Sequence, residues 1–211
     1  SSGVRCGEMY VVGPPVGAGA LSTELGEWCT SYHEALERGD VVHASLEGDD
    51  SPVSPATRDV ALRLHAAIDG AMLLPMASES DMYGRAVVIR ATDPEGSCWG
   101  EGERLPDEKV LHGALGLKEE ADDVTLSEET ILEAKDDLTT DGKCMWCGGY
   151  DYDDDDEDVA NARRATRIMA SDLDQHFEFT FNDLVMVAPA LYGGRSSDGD
   201  IVAVLTGRTW T

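Results

Sequence analysis

The sequence predicts an α+β protein with mixed helices, a largely antiparallel sheet and a C-terminal β-hairpin or meander. Apolar residues recur at helical spacing in several segments, and short β-branched runs lie between glycines and prolines. These segments do not alternate regularly as strand, helix and strand, which favours α+β over a parallel α/β fold. A chain of 211 residues, 42% of them hydrophobic, fits one domain, 1–211, with 101–158 as an acidic subregion or insertion.

The first predicted elements are a strand at 8–12, a helix at 21–38 and a second strand at 41–46. The helix is predicted because apolar side chains recur every three or four positions, and Gly39 ends it. That apolar face consists of Leu21, Leu25, Trp28, Tyr32 and Leu36.

A second helix is predicted after Ser54, which is an N-cap residue type followed by Pro55 at the first helical position. Gly70 ends this helix. Its predicted buried face consists of Val60, Ala61, Leu64 and Ile68. The run "RAVVIRA" at 85–91 predicts another strand because it is apolar and β-branched.

Three helices are predicted in the second half, at 107–115, 126–138 and 157–172. The middle one rests on Thr125 and Glu128, which have the spacing of a capping box. The C-terminal end predicts three antiparallel strands with "GGRSSDGD" as a hairpin connection, and the strands are "HFEFTFN", "DLVMVAPALY" and "DIVAVLTGRTW".

The net charge of −26 is unevenly distributed. Residues 1–100 carry −9, residues 101–160 carry −16 and residues 161–211 carry −1. Such acidity excludes nucleic-acid binding through phosphates and disfavours anionic membranes, so basic proteins and divalent cations are the expected partners. Adaptation to high salt would distribute acids over the whole surface, whereas residues 161–211 are nearly neutral, so the charge pattern disfavours this explanation. The 4 lysines against 12 arginines also fit a GC-rich bacterial or phage genome.

The chain has no stretch of 18 apolar residues and no basic region followed by an apolar one at its start. The five cysteines are an odd number, which favours reduced thiols over a disulfide framework. We therefore expect a cytoplasmic protein, located in the host cytoplasm or the virion if a phage encodes it.

No complete catalytic motif is present in the sequence. Counting from Gly13, a phosphate-binding loop would need a lysine where Gly19 stands and a hydroxyl where Ala20 stands. A dinucleotide-binding loop would need glycine at Ser22, and neither G-x-S-x-G nor H-E-x-x-H occurs. Each of the five histidines is therefore expected on the surface or hydrogen-bonded in the core. These absences favour a protein that is not an enzyme.

The segment "KCMWCGGYDYDDDDED" at 143–158 holds Cys144 and Cys147 in C-x-x-C spacing, followed by glycines. Two thiolates at this spacing can bind one metal ion. Locally the segment resembles one knuckle of a rubredoxin or zinc ribbon, which implies a bound zinc or iron. Those families carry a second C-x-x-C, which this chain lacks, and the candidates for further ligands are Cys98, Cys6 and His112. A redox pair and two ordinary thiols in a turn are the alternatives.

The acidic run at 151–158 does not match a calcium loop, because Asp156 stands where the loop needs glycine and Ala162 where it needs glutamate. Carboxylates before a helix are also stabilised by the helix dipole, which offers a purely structural explanation.

The function that the sequence favours is a non-enzymatic acidic protein that binds a basic surface of another protein, as an inhibitor, a DNA mimic or an accessory protein. The predicted contacts are Glu119, Glu120, Asp122, Asp123, Asp153, Asp154, Asp155, Asp156, Glu157 and Asp158. One alternative is a zinc-binding protein or metal-dependent enzyme that uses Cys144 and Cys147. Another is a virion or assembly component whose interface is formed by its nearly neutral C-terminal strands.

Overall fold

A computed structural model of the protein describes residues 7–13, 43–48, 50–73, 82–93, 96–97, 108–115, 124–126, 157–181 and 187–209. The helices in this part of the chain are α1 (Pro55–Ile68), α2 (Glu108–Leu115) and α3 (Glu157–Asp172). The strands are β1 (Met9–Val11), β2 (His43–Ser45), β3 (Met72–Leu73), β4 (Met82–Tyr83), β5 (Arg85–Ile89), β6 (Thr92–Asp93), β7 (Gly96–Ser97), β8 (Val124–Leu126), β9 (Asp174–Phe181), β10 (Val187–Arg195) and β11 (Ile201–Thr209).

Seven of these strands form one mixed sheet in the order β2-β1-β5-β11-β10-β9-β8. The pair β1–β2 is parallel, and every other neighbouring pair is antiparallel. The C-terminal strands β9, β10 and β11 form a meander, and β11 then pairs with β5. The α+β prediction with a C-terminal antiparallel meander is therefore confirmed.

Helix α1 forms where the sequence predicts it. Ser54 is the N-cap and its hydroxyl accepts a hydrogen bond from the Thr57 amide at 3.2 Å, while Pro55 needs no amide partner there. Gly70 follows the helix with a φ of +75°, a conformation that favours glycine. The buried face is Thr57, Val60, Ala61, Leu64, Ala67 and Ile68.

Helices α1 and α3 pack against each other, and both contribute side chains to one core with the sheet. Tyr10, Ala86, Val88, Val202 and Tyr192 are among the sheet residues of this core. Burying one leucine of this kind, such as Leu64 on α1, stabilises the fold by about 1.5–3 kcal/mol. At the surface the Arg63 guanidinium joins the two helices through an ion pair of 2.9 Å with Asp172.

The central strands are buried on both faces. In β5 residues 86–89 are all buried, and in β11 so are residues 201–207. Successive side chains of a strand point to opposite faces, so both faces of the sheet are covered at these positions. This explains why the two strands are continuous apolar runs without polar alternation.

The remaining predictions have mixed outcomes. The helix predicted at 107–115 is α2, and the helix predicted at 157–172 is α3. The helix assigned to 126–138 with its cap at Thr125 is wrong at its start, because Thr125 lies in β8 opposite Thr180. The helix predicted at 21–38 and residues 127–138 lie outside the described residues. None of the described helices is long and apolar enough to cross a membrane.

Candidate functional site

A group of interacting polar side chains lies where the β10–β11 turn meets the start of α1. The Ser54 hydroxyl donates to the Asp198 carboxylate, although the two residues are 144 positions apart. The Thr57 hydroxyl lies 3.0 Å from Ser196 Oγ and 3.2 Å from Asp198 Oδ2. A carboxylate close to the N-terminus of a helix is favoured by the positive end of the helix dipole.

A buried ion pair continues this polar group into the sheet. Asp200 is 2% exposed and lies 3.3 Å from the Arg90 guanidinium, and its second oxygen accepts from the Ala91 amide at 3.1 Å. The Arg90 guanidinium also donates to the Pro52 carbonyl at 2.7 Å. These contacts join the end of β5, the start of β11 and the loop before α1.

Tyr10 and Glu8 lie near this pair, at the start of the sheet. The Tyr10 hydroxyl donates to the Glu8 carboxylate at 3.2 Å. Burial, followed by the charge of Glu8 and this hydrogen bond, raises the pKa of Tyr10. The phenol therefore keeps its proton at neutral pH and acts as a hydrogen-bond donor.

The geometry of the hydroxyl groups is that of a structural cap. A serine or threonine becomes a nucleophile when a neighbouring general base accepts its proton. Here Ser54 and Thr57 direct their hydroxyls to Asp198 and Ser196, which are themselves part of the same cap. The cluster joins the β10–β11 turn to the start of α1.

The buried histidines His43 and His176 lie on strands that are far apart in the sheet, and the half-buried His65 lies on α1. His43 lies on the edge strand β2 and is 5% exposed. Burial and, secondarily, the Arg85 charge lower its pKa to about 4, so the ring is neutral at physiological pH. On β9 the Nε2 atom of His176 lies 2.9 Å from the Met169 carbonyl. On α1 the Nδ1 atom of His65 lies 3.4 Å from the Ala86 amide.

The predicted metal ligands are not placed by the structure. Cys6, Cys98, Cys144 and Cys147 lie outside the described residues, and the side chain of His112 on α2 is outside them as well. Within the described part of the chain, no three His, Cys, Asp or Glu side chains form a group that could hold a metal ion. The zinc or iron site at Cys144 and Cys147 therefore stays a prediction.

Of the predicted partner-binding residues, the structure places only Glu157 and Asp158. Both lie in the first turn of α3, where Glu157 is exposed and Asp158 is half-buried. Carboxylates are favoured there by the helix dipole. The other predicted contacts lie outside the described residues, namely Glu119, Glu120, Asp122, Asp123, Asp153, Asp154, Asp155 and Asp156.

The sequence did not predict that the cap and the ion pair belong to one cluster. It identified Ser54 as an N-cap and "GGRSSDGD" as a turn, but separately. In the structure β10 extends through Arg195, so the turn is confined to 196–200 and brings Asp198 to Ser54. No local signal relates residues so far apart in the chain.

The C-terminal strands occupy the interior of the sheet. In the described structure β10 and β11 each have a neighbour on both sides, and residues 201–207 are buried. An assembly interface would therefore have to use other surfaces than the buried part of β11.

Comparison with known families finds no family model that matches the chain, and no curated protein matches it significantly.

Proposed function

We propose that this chain is a non-enzymatic, cytoplasmic acidic protein that binds a basic surface of another protein through its segment 101–158. The observation that supports the proposal is the distribution of charge relative to the fold. The described residues carry 14 acidic and 10 basic side chains, whereas the rest of the chain carries 28 acidic and 6 basic ones. The described residues are thus close to neutral, and residues 101–160 alone carry −16 of the net charge of −26.

This uneven distribution along the chain disfavours a general adaptation to salt, which would also place excess acids in residues 161–211, where the net charge is only −1. It favours a dedicated acidic segment, because concentrated charge makes a strong local field. Such a field steers a basic partner into contact, and the resulting affinity falls as salt rises. The carboxylates would take the place of nucleic-acid phosphates on the partner, so direct nucleic-acid binding is not expected.

The acidic segment 101–158 ends in the first turn of helix α3. Ala162 and Met169 lie in the hydrophobic core and Val159 is buried, so the helix that begins with Glu157 is packed against α1 and the core. Carboxylates just before such a helix lie close in the chain to a rigid element. Glu157 and Asp158 belong to that element, so they would lose less conformational freedom on binding than residues of a flexible chain.

The proposal is tested by two variants with the same net charge. One neutralises the acidic run as Asp153→Asn, Asp154→Asn, Asp155→Asn and Asp156→Asn. The control neutralises four exposed carboxylates of the described residues, as Glu47→Gln, Asp50→Asn, Asp69→Asn and Asp174→Asn. Each variant loses four charges from −26, so a difference between them reports position and not total charge.

The probe is a fluorescent peptide of about ten lysines, titrated at several salt concentrations. At roughly 0.2–1 kcal/mol for each exposed charge pair, loss of the acidic run should weaken binding about tenfold relative to the control. A second assay measures how well each protein displaces duplex DNA from a basic DNA-binding protein. Equal affinities of the two variants in both assays would contradict the proposal.

A further inference from the structure

We draw no further inference here: the strongest candidate, the cluster of hydroxyl and carboxylate groups between the N-terminus of α1 and the β10–β11 turn, carries nothing because its groups bond to one another and no second observation beside them points to a ligand.

Discussion

Gly193 is a position where one added methyl group has no room between two strands of the sheet. It lies in β10 directly opposite Ala203 of β11. A Cβ atom on Gly193 would lie 2.7 Å from the Ala203 Cβ, 2.7 Å from the Val202 carbonyl oxygen and 3.1 Å from the Ala203 Cα. Ordinary contacts between carbon atoms are about 3.5–4.0 Å, so Gly193→Ala requires β11 to shift.

The size of the effect follows from the position of β11. This strand is hydrogen-bonded to β10 on one side and β5 on the other, so it cannot move away without straining a second pair. Overpacking of a core costs typically about 1–3 kcal/mol, and two of the three contacts here involve backbone atoms. We therefore expect Gly193→Ala to lower the free energy of unfolding by about 3 kcal/mol.

The same substitution at Gly113 is the matched control. Gly113 lies in α2 with nothing within 4 Å of the added Cβ. Alanine is favoured over glycine in a helix by about 0.5–1 kcal/mol, so Gly113→Ala should stabilise the protein slightly. The same glycine-to-alanine change is thus expected to lower the free energy of unfolding at position 193 and to raise it at position 113.

Urea denaturation monitored by circular dichroism gives the free energy of unfolding of each variant from the midpoint and the slope of its unfolding transition. A loss of about 3 kcal/mol also corresponds to a fall in Tm of roughly 6–12 °C for a chain of this size. Adding Ala203→Gly to Gly193→Ala should recover only part of the loss caused by Gly193→Ala, because the Val202 carbonyl remains in the way. A Gly193→Ala protein as stable as the wild type would refute the close packing of β10 on β11.

Three further predictions concern the cap, the buried histidine and the cysteine pair. Asp198→Ala removes the carboxylate that accepts from the Ser54 and Thr57 hydroxyls and should lower the free energy of unfolding by about 1–2 kcal/mol, whereas Ser197→Ala in the same turn should change it little in parallel urea titrations. Because the pKa of His43 is about 4 when folded and 6.5 in the unfolded reference, only the unfolded chain takes up this proton between those values, and stability should fall as pH decreases through that window. His43 should account for about 3 kcal/mol of this fall in the free energy of unfolding, and the His43→Gln protein should lack that part. If the free energies of unfolding of the two proteins depend equally on pH, His43 does not have this effect. Elemental analysis of protein purified without chelator should find about one zinc or iron per chain. The Cys144→Ser, Cys147→Ser variant should lack this metal. Wild-type protein without bound metal would contradict the prediction of a metal site at these two cysteines.

The elements that the sequence predicted correctly are those with strong local signals. Helix α1 has a capping serine, a proline at its first position and an apolar face of regular spacing, and each feature acts within a few residues. The strands β5, β10 and β11 are β-branched or apolar runs bounded by turn residues. The start of the 126–138 helix was predicted incorrectly because its local signal is weak. Its capping-box spacing at Thr125 is a weak preference, and pairing with β9 places the residue in a strand instead.

By itself, the sequence determined the class of the fold, the main helices and the concentration of negative charge, because periodicity, caps and charge are properties of short segments. Tertiary structure alone decided the strand order, the parallel pairing of β1 with β2 and the burial of β11 on both faces. It also decided that Asp198 accepts hydrogen bonds from the hydroxyls at the start of α1 and that Arg90 pairs with Asp200. Those contacts join residues more than 100 positions apart, and such pairings depend on how the sheet closes its core rather than on any local preference of the chain.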